Sequence, residues 1–229
     1  TDAARTVRYD FQQAVQKSFT LYAGWRWNNP FTDVKAGHWF YGDVEYAHVT
    51  GLFGGTSPTA FSPDTPMTRG MLVTVLGRAA GADTAGKTGT SAFTYVEAGQ
   101  YCAPYVAWAA ENGLVQGVGG NRFAPESPIS RQDLCVLLER YIRYRGLDFE
   151  VTGEYSGFAD DGSIAGYAKD AVPLLNRLAV VRGQAGNRMD PPGGAQRPEV
   201  AAMPRRFLAL AATSPLLPLT APEGNSPPI

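Results

Sequence analysis

The sequence predicts a mainly α-helical protein made of three helix–loop–helix repeats that pack on one another. Two observations carry this. A short motif is written three times, and an amphipathic helix follows each copy. The motif reads Phe61-Ser-Pro-Asp-Thr-Pro-Met67-Thr68-Arg69, then Phe123-Ala-Pro-Glu-Ser-Pro-Ile129-Ser130-Arg131, then Met189-Asp-Pro-Pro-Gly-Gly-Ala195-Gln196-Arg197. After it, Leu72, Val75, Leu76 and Ala79 form a stripe at helical spacing. Leu134, Leu137, Leu138 and Tyr141 repeat the stripe, and Val200, Met203, Pro204 and Phe207 repeat it again. Units of this size do not bury an apolar face alone, so neighbours must cover it.

The second helix of each repeat has the clearest start. Thr68 and Ser130 are N-caps whose hydroxyl accepts a bond from an otherwise unpaired backbone N–H. Asp133 suits the positive end of the helix. Met71 stands at the acidic position in the first repeat, which removes the capping-box partner there. Pro204 predicts a kinked or shortened helix in the third repeat, because an interior proline costs about 3 kcal/mol.

Each repeat opens on a short extended segment: Phe31-Thr-Asp-Val34, Phe93-Thr-Tyr-Val96 and Phe158-Ala-Asp-Asp161. A first helix follows, ending near Thr50-Gly51-Leu52 and Asn112-Gly113-Leu114, where glycine adopts the left-handed conformation cheaply. A glycine-rich loop then leads to the Phe-x-Pro hook. The resulting divisions are an N-terminal helical segment or end of an upstream region (1–28), repeat one (29–81), repeat two (92–146), a degenerate repeat three (158–211) and a Pro-rich tail (212–229). In the first segment Val7, Phe11, Val15 and Phe19 recur every fourth residue, as in an amphipathic helix. The chain opens at Thr1 without a basic-then-apolar leader, which reads as a fragment or a mature chain.

Composition narrows the function. A hydrophobic fraction of 44% supports a core, and 20 basic residues nearly balance 21 acidic ones. That balance argues against nucleic acid as a partner, and no apolar run is long enough for membrane insertion. Two histidines and two cysteines without a cluster argue against a metal site, and no cofactor is expected. Cys102 aligns with Phe40 and Ala168, and Cys135 with Val73 and Ala201. Two small buried core residues, or a disulfide, are both compatible with that register. Catalysis finds little support. Asp43 with Glu45, or Asp160 with Asp161, are the loose carboxylate pairs, and no Gly-x-Ser-x-Gly motif accompanies His38 or His48.

Phe31-x-Asp-Val34, Trp39, Gly51-Leu52, Gly113-Leu114-Val115-x-Gly117, the Phe-x-Pro hook and the tetrapeptides Thr68-Arg69-Gly70-Met71, Ser130-Arg131-Gln132-Asp133 and Gln196-Arg197-Pro198-Glu199 resemble the S-layer homology domain in three tandem copies. The resemblance covers about residues 29–211. It implies one pseudo-threefold bundle with a central three-helix core and grooves between units. It further implies a non-catalytic module that tethers a surface protein to a bacterial envelope. The partner would be a secondary cell wall polysaccharide carrying a pyruvylated N-acetylmannosamine-type sugar, with other surface proteins as further partners. A protein-binding or self-associating scaffold is the alternative reading, and a wall-active hydrolase a weaker one.

Arg69, Arg131 and Arg197 mark the one position of the tetrapeptide kept in every copy. An arginine at a helix start suits a carboxylate ligand, since its planar fork adds to the partial charge of the helix. The competing role is glue, each arginine pairing with a neighbouring unit's carboxylate such as Asp33. Gly55, Gly117 and Gly183 share one register position, where the missing side chain allows a sugar close approach or simply serves the turn. Trp39, Tyr101 and Tyr167 precede the first helices and can stack on a pyranose or anchor the core; for Tyr167 the core is expected. Asp33 supplies a carboxylate that Tyr95 replaces in repeat two. The first two copies, with fewer departures from the pattern, are expected to do most of the binding.

Overall fold

A computed structural model describes residues 27–87, 93–94, 96–97, 99–149, 151 and 153–213. The predicted helix before residue 28, the Pro-rich tail and Tyr95 fall outside the described residues, apart from positions 27, 28, 212 and 213. Among the described residues, six α-helices form the body: α1 (Tyr41–Val49), α2 (Arg69–Ala80), α3 (Ala103–Glu111), α4 (Arg131–Tyr144), α5 (Ala171–Arg177) and α6 (Arg197–Thr213). Among the described residues there are isolated β-bridges but no strands, and Thr94 is the one opening-segment residue in a bridge. The mainly helical class is as the sequence predicts.

The second helices start where the caps place them. Thr68 Oγ1 accepts from the Met71 N–H (3.2 Å), and Ser130 Oγ accepts from the Asp133 N–H (3.1 Å). In the third segment the Glu199 carboxylate accepts the Gln196 N–H (2.9 Å), the reciprocal half of a capping box. The helix there is not shortened: α6 spans 17 residues and runs through Pro204. The proline removes one N–H, which deprives one carbonyl of its partner and leaves the rest of the ladder intact.

The three segments close into a ring of contacts. The Met67 N–H donates to the Ala195 carbonyl (2.9 Å), Ile129 to Met67 (2.8 Å) and Ala195 to Ile129 (3.0 Å). Each hook therefore delivers its chain to the start of a second helix while bonded to the next hook. The closest helix packing also crosses between segments, pairing α2 with α3, α4 with α5 and α6 with α1. The second helices thus meet around their N-terminal approach, and each lies along the first helix of the following segment.

One continuous core runs through all of this. Phe61, Phe123 and Met189, equivalent in the three hooks, are fully buried, as are Met67, Leu72, Ile129, Leu134 and Leu175. Ring pairs hold the opening segment against two of the three hooks: Phe31 with Phe61 and Phe93 with Phe123, both at 5.6 Å. Cys102 and Cys135 are free and buried, which is the small-core-residue alternative. Burial pushes the Cys135 thiol up to about 12, so it packs as an inert apolar group.

Candidate functional site: three junctions between units

The motif arginines lie inside the ring. Arg69, Arg131 and Arg197 are 8%, 3% and 2% exposed. Each crosses to the next segment and binds two backbone carbonyls there. Arg69 donates through Nε to Phe123 O (2.9 Å) and through NH2 to Gln116 O (3.0 Å). Arg131 makes the same pair with Met189 O (2.7 Å) and Arg182 O (2.8 Å). Arg197 makes it with Phe61 O (2.8 Å) and Gly54 O (2.9 Å). Ring faces cover two of these guanidinium groups: Arg69 over Phe123 at 4.8 Å, and Arg197 over Phe53 at 4.5 Å. Burial lowers the pKa of both Arg69 and Arg197; Asp133 and Tyr167 oppose this for Arg69, and Tyr101 and Asp33 for Arg197.

What each arginine meets beyond the carbonyls depends on the fourth motif position of the next copy. Arg131 NH1 forms an ion pair with Glu199. Arg69 lies in the field of Asp133. Arg197 NH1 meets the Met71 sulfur at 3.4 Å. Replacing Met71 with glutamate should give Arg197 the partner that Arg131 already has, and complete a capping box with Thr68. We expect a stability gain of about 1 kcal/mol, read as a higher Tm, with Met71→Gln gaining less because it adds no charge.

Asp33 and Asp160 have a defined structural task. Asp33 accepts the N–H groups of Phe61 (2.9 Å) and Ser62 (2.7 Å), and Asp160 those of Met189 (2.7 Å) and Asp190 (2.9 Å). This sets the register that the sequence leaves open between Asp160 and Asp161: Asp160 is the equivalent of Asp33. Both carboxylates hold a hook whose second residue is left-handed, with φ of 56° at Ser62 and 50° at Asp190.

Gly55, Gly117 and Gly183 sit where the loop crosses the opening segment. A Cβ at Gly55 would lie 2.5 Å from Ser57 O and 2.6 Å from the Phe31 ring. At Gly117 it would lie 2.7 Å from Arg122 O, and at Gly183 3.0 Å from the Phe158 ring. Packing alone therefore accounts for glycine at the first two positions.

The aromatic residues are outside. Trp39, Tyr101 and Tyr167 are 65%, 53% and 62% exposed. For Tyr167 this corrects the expected core role. It sits in a short 3₁₀ turn (Gly166–Ala168) ahead of α5, and its hydroxyl donates to Asp133 Oδ1 (2.7 Å), so the ring stands at the rim. Burial and that bond raise its pKa to about 12. Each aromatic meets the other two segments. Tyr167 bonds Asp133 and lies in the field of Arg69, and Tyr101 is held by Thr68 and lies in the field of Arg197. Trp39 walls a cleft whose lining includes Arg131, Glu199, Gly183, Arg182 and Arg206.

Three junctions therefore share one plan: a buried arginine from one segment, the fourth motif residue of the next, and an exposed aromatic from the remaining one. Residues 30–70 and 95–135 match the S-layer homology domain. Each matched segment supplies one arginine and one exposed aromatic residue to the junctions: Arg69 and Trp39 from the first, Arg131 and Tyr101 from the second. The chain is 26% identical over 172 residues to an endoglucanase of Bacillus sp. (strain KSM-635), covering 75% of this chain and 18% of that protein. It is 25% identical over 185 residues to an amylopullulanase of Thermoanaerobacterium thermosulfurigenes, covering 81% and 10%. A surface-layer 125 kDa protein of Lysinibacillus sphaericus is 31% identical over 116 residues, covering 49% and 10%. The chain spans less than a fifth of the length of these relatives. The S-layer homology match, with relatives that include this surface-layer protein and a cell surface protein of Thermoanaerobacter kivui, supports a cell-wall or cell-surface location.

Arg182 and Arg206 are absent from the sequence-derived site. Arg206 had a readable signal, because Arg78 and Arg140 occupy its register in the other repeats. Arg182 had none: Gly54 and Gln116 stand at its position, in a variable loop.

Proposed function

We propose that the chain is a non-catalytic anchoring module that binds secondary cell wall polysaccharide at the junctions between its units and so holds a surface protein on the bacterial envelope. The observation that carries this reading is the placement of Trp39, Tyr101 and Tyr167, exposed and each beside a buried arginine from another segment of an S-layer homology scaffold. An exposed aromatic face suits the apolar face of a pyranose, and an arginine floor suits an acidic substituent. The sugar class is a pyruvylated, hence anionic, N-acetylmannosamine type. Residues 158–211 act as a third copy: Asp160, Met189 and Arg197 make the contacts that Asp33, Phe61 and Arg69 make. The enzymes among the relatives fit a shared anchoring region, since so little of their length is matched.

The test is co-sedimentation with bacterial cell walls before and after chemical removal of the accessory polysaccharide. Binding should vanish with the polymer. Trp39→Ala should weaken wall binding several-fold while moving stability by no more than about 0.5 kcal/mol, as expected for a surface substitution. Undiminished binding to bare peptidoglycan would sink the proposal. Capture of a second copy of the chain in place of walls would favour the scaffold reading.

A further inference from the structure

The cleft beside Trp39 differs from the other two junctions in charge. Its motif arginine is fully occupied: Nε and NH2 of Arg131 bind Met189 O and Arg182 O, and NH1 pairs with Glu199. The second Glu199 oxygen accepts the Gln196 N–H (2.9 Å). A ligand carboxylate approaching Arg131 would have to displace Glu199 and would meet its charge. Farther out, Arg182 and Arg206 line the same cleft. The Arg182 side chain is exposed, while Arg206 is half-buried and donates through NH1 to Val180 O (2.6 Å). Neither forms an ion pair among the described residues. The acids that act on Arg206 are Glu199, held by Arg131, and Asp43, held by Arg205 at 3.1 Å. Two cations of like sign are thus left facing one cleft beside an exposed indole. Among the three junctions this is the one with arginine at the loop position, where Gly54 and Gln116 stand in the others, and with tryptophan in place of tyrosine.

We propose that Arg182 and Arg206, rather than the motif residue Arg131, take the anionic group of a carboxylated pyranose whose apolar face lies on Trp39. The inference rests on the wall-polysaccharide reading and adds to it the charge-selecting residues and the preferred cleft. It moves the leading binding site to the cleft completed by the third segment. A guanidinium held near a like charge gains most when an anion arrives between them, because the repulsion is relieved together with the attraction.

Calorimetric titration of the full chain with pyruvylated N-acetylmannosamine and with unmodified N-acetylmannosamine tests this. Arg182→Gln should lower affinity for the charged sugar roughly ten-fold and leave the neutral one unchanged. Arg182→Lys should keep most of the affinity, and raised salt should erase the preference for the charged sugar. Arg206→Gln should act in the same direction, with its Tm recorded because it also loses the bond to Val180 O. Equal affinity of wild type and Arg182→Gln for the charged sugar would overturn the proposal, as would a wild-type chain indifferent to the sugar's charge. Wall co-sedimentation separates the two levels. Polymer-dependent binding that Arg182→Gln leaves intact overturns this inference alone, whereas wild-type binding to stripped walls overturns the anchoring reading with it.

Discussion

Arg131→Ala is expected to lower the unfolding free energy by about 3–5 kcal/mol, the range for breaking a buried ion pair from one side. The guanidinium is 3% exposed and makes three bonds to the third segment: to Met189 O, to Arg182 O and to Glu199. Alanine leaves Glu199 without its cation and two inward carbonyls without a donor, and none of these gains full access to water. For a body of this size the loss corresponds to a Tm decrease on the order of 10 °C. Arg69→Ala and Arg197→Ala should cost less, about 2–3 kcal/mol, because each removes two carbonyl bonds and a ring contact but no ion pair. Glu199→Gln should be milder again, since its amide oxygen still accepts from Arg131. Differential scanning calorimetry of the four variants checks the order. A Tm for Arg131→Ala within 2 °C of wild type, on the order of 1 kcal/mol or less, would mean that the arginine does not hold the ring together.

That expectation shows where reading the sequence stops. The starts of α2 and α4 are legible, because Thr68 and Ser130 carry a cap signal that depends only on local backbone. The buried stripe from Leu72 to Leu76, and from Leu134 to Tyr141, is legible from period alone. The arginines were recognisable as important but not as buried. Their partners are backbone carbonyls at Phe123, Met189 and Phe61, and a carbonyl leaves no mark in a sequence. Both roles considered for them assigned a carboxylate partner, from a ligand or a neighbour, and only Arg131 has a paired one. The core expectation for Tyr167 failed for a related reason. Whether Trp39 or Tyr167 points inward is decided by how one segment meets the next, and that is a property of the closed ring.

Inequality among the copies is likewise partly legible. Met71, Asp133 and Glu199 differ at one motif position, and each faces the arginine of the preceding segment in the ring. A substitution within one repeat thus changes the electrostatics of a junction belonging to another. Departures from the pattern in residues 158–211 do not remove that segment from the junctions. Pro204 leaves α6 intact, and the same segment supplies Arg182, Glu199 and Arg206 to the cleft beside Trp39.

Gly55→Ala should be the most damaging of three equivalent glycine substitutions, costing about 3 kcal/mol, at the upper end of overpacking. Gly55 needs no unusual backbone; the requirement is room. An added methyl would meet the carbonyl oxygens of both Ser57 and Ala60 and the Phe31 ring, and two of these three obstacles are backbone. At Gly117 one carbonyl, Arg122 O at 2.7 Å, stands in the way with the Phe93 ring behind it at 3.0 Å, so about 2 kcal/mol is expected. At Gly183 the nearest atom belongs to the Phe158 ring at 3.0 Å, and the carbonyl is at 3.4 Å. A ring edge yields more readily than a turn, so alanine there should cost about 1 kcal/mol or less. Chemical denaturation of the three variants reads this order directly. The series also separates packing from ligand approach at the site next to Arg182. If Gly183→Ala stays folded but loses affinity for the charged sugar, the glycine admits the ligand. If it keeps both fold and affinity, its place in the repeat is a matter of the turn alone.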